Sequence, residues 1–272
     1  MSRKTKKIIT LVAIIGISVA LYFALRDRKA NDNNIQTNTV NPTAQDQPEA
    51  AKMPDSENKI AENKTEPAKN QSTPEEKPTP QIPEKYLLDM PFYSQAPFSN
   101  WDKVHEEMCE EASLLNAGLY LLDKKLSKDA FEKELINIKK LEEKELGDYK
   151  SNTISEIKKI SDIYFGGNIS LKIIDNPTID NIESEISAGR PVIVPLSGRD
   201  IGNPNFTPPG PIYHMLVLKG YDSQNFITND VGTRKGNSYI YKKAVIMKDM
   251  HDWNAKDIHL GAKKVLVLMK ND

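Results

Sequence analysis

Cysteine is almost missing from this chain: 272 residues contain one, Cys109. That excludes an intramolecular disulfide and leaves no cysteine cluster for a structural metal, so no metal or cofactor is expected. Histidine is scarce as well, with four: His105, His214, His251 and His259. An excess of either charge is absent too. The formal net charge is -1, which gives no bulk electrostatic pull toward nucleic acid, and no nucleic-acid partner is expected. Aromatic residues vanish between Phe23 and Tyr86, and leucine between Leu25 and Leu87. Any packed core must therefore lie after about residue 84, where roughly 190 residues remain, enough for one sizeable core in a monomeric domain.

Charge itself is absent from Ile8 to Leu25, a run bounded by Arg3-Lys4-Thr5-Lys6-Lys7 and by Arg26-Asp27-Arg28-Lys29. The run is just long enough to span a bilayer as a helix. Heavier positive charge on its N-terminal side predicts that the rest of the chain is exported. A cleaved signal peptide is the alternative, but neither Ala20-Leu21-Tyr22 nor Ala24-Leu25-Arg26 makes a good cleavage site, which favours an uncleaved anchor. Residues 30–83 are rich in Asn, Gln, Thr, Pro, Glu and Lys, with eight prolines from Pro42 to Pro83. Such a segment buries too little apolar surface to offset its ordering entropy and reads as a hydrated spacer. The expected organisation is a basic tip and membrane anchor over 1–29, a linker over 30–83 and a folded domain over 84–272.

Within that domain helices come first. A helix is predicted from Cys109, apolar from Ala112 to Leu122. A second covers about 127–145, with Phe131, Leu135, Ile138 and Leu141 on one face. A third covers about 153–164, capped by Thr153 with Glu156 at the capping-box position and Ile154, Ile157, Ile160 and Ile163 in phase. Strands then dominate: Ile169–Ile174, Val192–Val194, His214–Leu218, Phe226–Thr228, Asn237–Tyr241 and Val265–Met269. A helix from Thr178 to Ala188 and another over Lys243–Met250 interrupt them. Short turns join most late strands, so the pattern predicts an α+β fold whose N-terminal helices pack on a C-terminal antiparallel sheet.

A sulfur at a helix start lies beside unpaired N–H groups and the positive end of the helix dipole, which favour thiolate. Glu110 and Glu111 oppose this, and an inert buried cysteine is the plainer alternative. His214 stands at the mouth of an apolar strand, after the Gly- and Pro-rich loop Ser197–Pro211, where a cleft residue would sit; His105, close to Cys109 in sequence, is the rival. Asp230 ends the next strand. If the two strands form a hairpin turning at Asp222-Ser223, Asp230 falls near His214 and would fix its tautomer, with Asn229 as a second candidate. Gln95, on the loop before the helix, would supply an oxyanion donor together with the N–H of Cys109.

The segments Met90-Pro-Phe-Tyr-Ser-Gln95, Cys109-Glu-Glu-Ala-Ser-Leu-Leu115, Ala188-Gly-Arg-Pro-Val192, His214-Met-Leu-Val-Leu-Lys-Gly-Tyr221 and Phe226-Ile-Thr-Asn-Asp230 are similar, in order and spacing, to the C39-like group of papain-like cysteine peptidases. This group is related to the peptidase domains of bacteriocin-exporting transporters. The resemblance covers most of 88–250 and implies a papain-like fold. It also implies a nucleophile at Cys109, a base at His214, an orienting carboxylate at Asp230 and an oxyanion-hole amide at Gln95. The chain departs from the family pattern in carrying Glu110 after the cysteine and Met108 before it, where a glycine is common. The expectation is a thiol hydrolase of peptide or amide bonds, tethered outside a bacterial membrane, with a peptide or protein substrate that includes cell-wall peptide. A surface module that binds peptide in the same cleft without cleaving it is the alternative.

Overall fold

The structure, a computed structural model, describes residues 81–271. The expected anchor and most of the spacer lie outside the described residues. Among the described residues no helix is long and apolar enough to cross a membrane.

The first helix, α1 (Cys109–Leu121), is buried from Cys109 through Leu119. A helix apolar on all sides must be covered on all sides. Here the sheet covers one face, and α2 (Lys128–Glu145) and α3 (Ile154–Tyr164) cover another. Both flanking helices start as their sequences dictate. The Ser127 side chain accepts the Ala130 N–H, and Thr153 and Glu156 close a reciprocal capping box. Their buried faces differ in part from expectation. In α2 the stripe runs Phe131, Leu135, Ile138 and Glu142, with Leu141 only half-buried. Steps of four, three and four keep to the 3.6-residue period, so the inward position after Ile138 belongs to a glutamate. In α3, Ile154, Ile157 and Ile160 are buried, whereas Ile163 is 46% exposed, because nothing among the described residues packs over that side.

Among the described residues, seven antiparallel strands form one sheet: β1 (Tyr86–Leu87), β2 (Ile169–Asp175), β3 (Val192–Ser197), β4 (Tyr213–Tyr221), β5 (Asn225–Asn229), β6 (Asn237–Lys242) and β7 (Lys264–Lys270). The spatial order is β2-β7-β3-β4-β5-β6, with β1 also pairing β4. The C-terminal strand is thus inserted between β2 and β3 rather than added at an edge. Val265 to Leu268 are fully buried, and four consecutive apolar residues find cover on both faces only in the interior of a sheet. Helix α4 (Ile179–Ser187) starts in a second capping box, Thr178 with Asn181, and packs on β4; α5 (Lys243–Asp249) follows β6 directly. The fold is α+β, with helices on an antiparallel sheet, as the papain-like expectation requires.

Candidate active site

Cys109 is the first residue of α1, where its N–H has no intrahelical acceptor. Its sulfur touches β4: the Met215 N–H donates to Sγ at 3.4 Å, and the Met215 carbonyl accepts from Ser113 Oγ at 3.1 Å. Met215 lies opposite Pro195 in the ladder, but the Pro195 carbonyl faces the other way and accepts the His251 N–H at 3.1 Å, so the two residues are a pair without mutual main-chain hydrogen bonds. Main-chain groups of β4 therefore engage the helix, which seats the start of α1 beside His214.

Strands β4 and β5 form the expected hairpin, with Val217 opposite Asn229 and an irregularity between Leu218 and Gly220. That register carries Asp230 to His214, and Nε2 of the imidazole meets Asp230 Oδ1 at 2.8 Å, both side chains buried. Asn229 takes no part; its amide donates to the Pro91 carbonyl at 2.8 Å. Asp230 is also held from three other sides. Asn203 Nδ2 and Tyr241 Oη donate to Oδ2 at 2.8 and 2.7 Å, and the Gly232 N–H donates to Oδ1 at 3.1 Å. Burial alone would raise the Asp230 carboxyl, but His214, Tyr241 and Asn203 outweigh it and hold the group below its usual range. With Nε2 committed to Asp230, Nδ1 is the ring nitrogen that remains for any further partner. The ring edge of Phe206 packs against the imidazole at 5.2 Å, and a Cβ on Gly232 would stand 2.7 Å from His214 Cε1. That position has room for glycine alone.

The remaining histidines lie elsewhere. The His105 ring is clamped between Asp102 Oδ1 at 2.8 Å and Glu132 Oε1 at 2.7 Å. Burial opposes its charged form, but the two carboxylates prevail and raise its pKa. It anchors the loop before α1 to α2 and does not line the cleft. His251 and His259 meet edge to face with ring centroids 5.7 Å apart, and His259 bridges Asp200 and Asp257 at the surface.

Gln95 lines the cleft with Cys109 and His214, but its amide nitrogen donates to the carbonyls of His105 at 2.8 Å and Glu106 at 3.2 Å. Its oxygen is buried without a partner. An oxyanion donor at Gln95 would need the amide to turn away from these carbonyls. The cleft has a volume of about 940 Å³. The loop after β3 walls it, through Arg199 and the run from Pro204 to Ile212; Trp101, Trp253 and the Gly232–Lys235 turn supply other sides.

The carboxylates of α1 are not solvated first-turn residues, contrary to the usual meaning of acidic groups there. Glu110 and Glu111 are both fully buried. Cys109 Sγ donates to Glu110 Oε2 at 2.9 Å, and the Asn152 N–H donates to Glu110 Oε1 at 3.1 Å. Burial pushes Glu110 up to about 7, partly offset by those donors. Burial, then the charge and hydrogen bond of Glu110, push the Cys109 thiol well above its ordinary value, against the Met215 N–H. Glu111 faces Glu142 of α2. Burial and that neighbouring carboxylate raise Glu111 strongly, and burial lifts Glu142 to about 8, so the pair retains a proton at neutral pH.

Residues 87–256 match the Peptidase_C39 like family. The chain belongs to that family. A search of the curated proteins returns no match. Among solved structures, the chain is similar to a protein from Bacillus anthracis assigned provisionally as a C39-like peptidase, at 16% identity and a TM-score of 0.47, covering 70% of this chain and all of that one. Membership suggests a domain of the cysteine peptidase type. It does not point to Asn203, Tyr241 or the buried glutamates. The expected stripe of α2 ended on Leu141; continuing it from Ile138 by four residues is the signal that would have found Glu142, while Tyr241 is the buried neighbour of an isoleucine, Ile240, that is 58% exposed.

Proposed function

We propose that the domain is a cysteine hydrolase of peptide or amide bonds, acting through Cys109, His214 and Asp230. One observation carries the reading: the sulfur contacts the main chain of the residue next to His214, while the far nitrogen of that imidazole is fixed by a carboxylate with three further donors. In this reading the Cys109 proton passes to His214 Nδ1 as sulfur attacks the substrate carbonyl carbon. The oxyanion is met by the Cys109 N–H and, once turned, by the Gln95 amide. The carbon–nitrogen bond then breaks, His214 returns the proton to the leaving amine, and a thioester to Cys109 remains. Water attacks the thioester with His214 as base and restores the thiol. An amine in place of water would give transpeptidation by the same route.

The substrate class is a peptide, including surface-protein or cell-wall peptide. The uncharged run Ile8–Leu25 and the spacer support an extracytoplasmic domain on a single-pass anchor in a bacterial membrane. A second reading, peptide binding without cleavage, is favoured by the hold of Glu110 on the thiol and by the commitment of the Gln95 amide to carbonyls. Incubating the full chain with a peptide library and reading products by mass spectrometry separates the two. The hydrolase reading expects fragments that disappear in Cys109→Ala and His214→Ala. Retention of intact peptides by the wild type, with no cleavage, overturns it in favour of binding.

A further inference from the structure

Sγ of Cys109 has two partners, the Glu110 carboxylate and the Met215 N–H, and no hydrogen bond joins it to His214. A carboxylate that accepts the S–H hydrogen bond stabilises the thiol. Once protonated it can no longer accept that bond as an anion, and the sulfur is left with a donor on one side and an imidazole on the other. We propose that Glu110 is a positioning residue that gates the nucleophile: as a carboxylate it holds Cys109 as a thiol, and as a neutral acid it releases the sulfur to form a thiolate–imidazolium pair with His214. The proposal rests on the reading of Cys109 and His214 as nucleophile and base.

The proton balance is closed. Solvent supplies one proton to Glu110, and the thiol proton moves from Sγ to His214 Nδ1, with nothing oxidised or reduced. The surroundings of Glu110 are predominantly acidic. On α1 it has Cys109 and Glu111, from α2 Glu142, and from β4 Tyr213 and His214. Of these only His214 can carry positive charge, and Lys139 acts one step away, on Glu142. Neutral Glu110 is therefore favoured by Glu111 and Glu142 and disfavoured by a protonated His214. Burial adds to the first side and lifts Glu110 to about 7, which puts the gate within a physiological range.

The test is the rate of Cys109 alkylation by iodoacetamide, measured from about pH 4.5 to about pH 9.5 on the full chain and on E110Q and H214A. An ordinary thiol reacts faster as pH rises throughout. The gate predicts instead that the wild-type rate falls about fivefold or more between about pH 5.5 and about pH 8, then climbs as the free thiol ionises. E110Q keeps the amide oxygen but not the charge, and its rate at about pH 8 should exceed the wild type's by about tenfold with the dip gone. A wild-type rate that rises monotonically overturns the proposal without recourse to any variant. An E110Q profile that superimposes on the wild type, or runs slower at pH 8, also overturns it. H214A separates the two readings. If it abolishes the acid limb while E110Q changes nothing, the gate fails and the Cys–His pair stands. If H214A leaves the wild-type profile unchanged, the underlying pair fails.

Discussion

At the scale of single residues, the site is organised around Asp230, whose two oxygens take four donors including His214. A buried carboxylate so satisfied is already in place, and it holds the imidazole by Nε2, which leaves Nδ1 uncommitted to Asp230. Asp230→Asn is therefore expected to lower kcat by about 10²- to 10⁴-fold while changing KM little, since an amide can present the wrong group to Nε2. Tyr241→Phe removes one donor and should cost about tenfold. Steady-state kinetics on a cleaved peptide check both; an Asp230→Asn enzyme of wild-type kcat would remove the orienting role. Much of this was legible in the sequence. The hairpin argument placed Asp230 near His214, and the mouth-of-strand position singled out His214 over His105. The donors behind Asp230 were not legible. Asn203 sits in a loop with no period, and in β6 the alternation turns Tyr241 inward and Ile240 outward, against their hydrophobicity.

Among the elements, the start of α1 and the middle of β4 meet because Met215 turns its main-chain groups away from β3 and toward the helix. The capping box at Thr153 and the apolar stripes of α2 and α3, apart from the last position of each, were readable because local chemistry and periodicity decide them. The place of β7 was not, because strand order depends on which edge a distant segment reaches, and Val265–Leu268 carry only the information that both faces are buried. The loop between β3 and β4 is likewise a wall whose shape no period encodes, yet its Phe206 braces the imidazole. Phe206→Ala opens that side of His214 to water and should lower kcat/KM by about tenfold, with the Cys109 alkylation profile broadened toward that of an ordinary thiol. Gly232→Ala attacks the same ring from the other side. Its Cβ would meet His214 Cε1 at 2.7 Å, so either the ring or the turn must shift. Comparable loss of activity with a thermal midpoint lowered by only a few degrees would locate the damage in the site; full activity in Gly232→Ala would show that the turn yields instead.

For the molecule as a whole, the buried acids under the cysteine set how stability varies with pH. Glu110 at about 7 and Glu142 at about 8 both stand above the ordinary glutamate value of 4.5, raised chiefly by burial, and Glu111 is raised further. An acid with a raised folded-state pKa contributes its full stability below the unfolded value and loses it as pH climbs through the folded one. These groups therefore weaken the domain from mildly acidic pH upward to about pH 8. Asp230 acts in the other direction: its lowered carboxyl supports the fold above its unfolded value of 3.8 and ceases to as pH falls through the folded one. The two trends together place maximal stability between roughly pH 4 and 5, with stability falling from there toward pH 8. Glu142→Gln removes one proton-dependent member of the Glu111–Glu142 pair while leaving a donor and an acceptor of the same shape. Its thermal midpoint should match the wild type's near pH 5 and exceed it near pH 8, by an amount on the order of 2 kcal/mol in unfolding free energy. Denaturant titrations at the two pH values measure this directly. A Glu142→Gln domain that loses as much stability as the wild type between pH 5 and 8 would mean that the buried pair is not what couples this fold to protons.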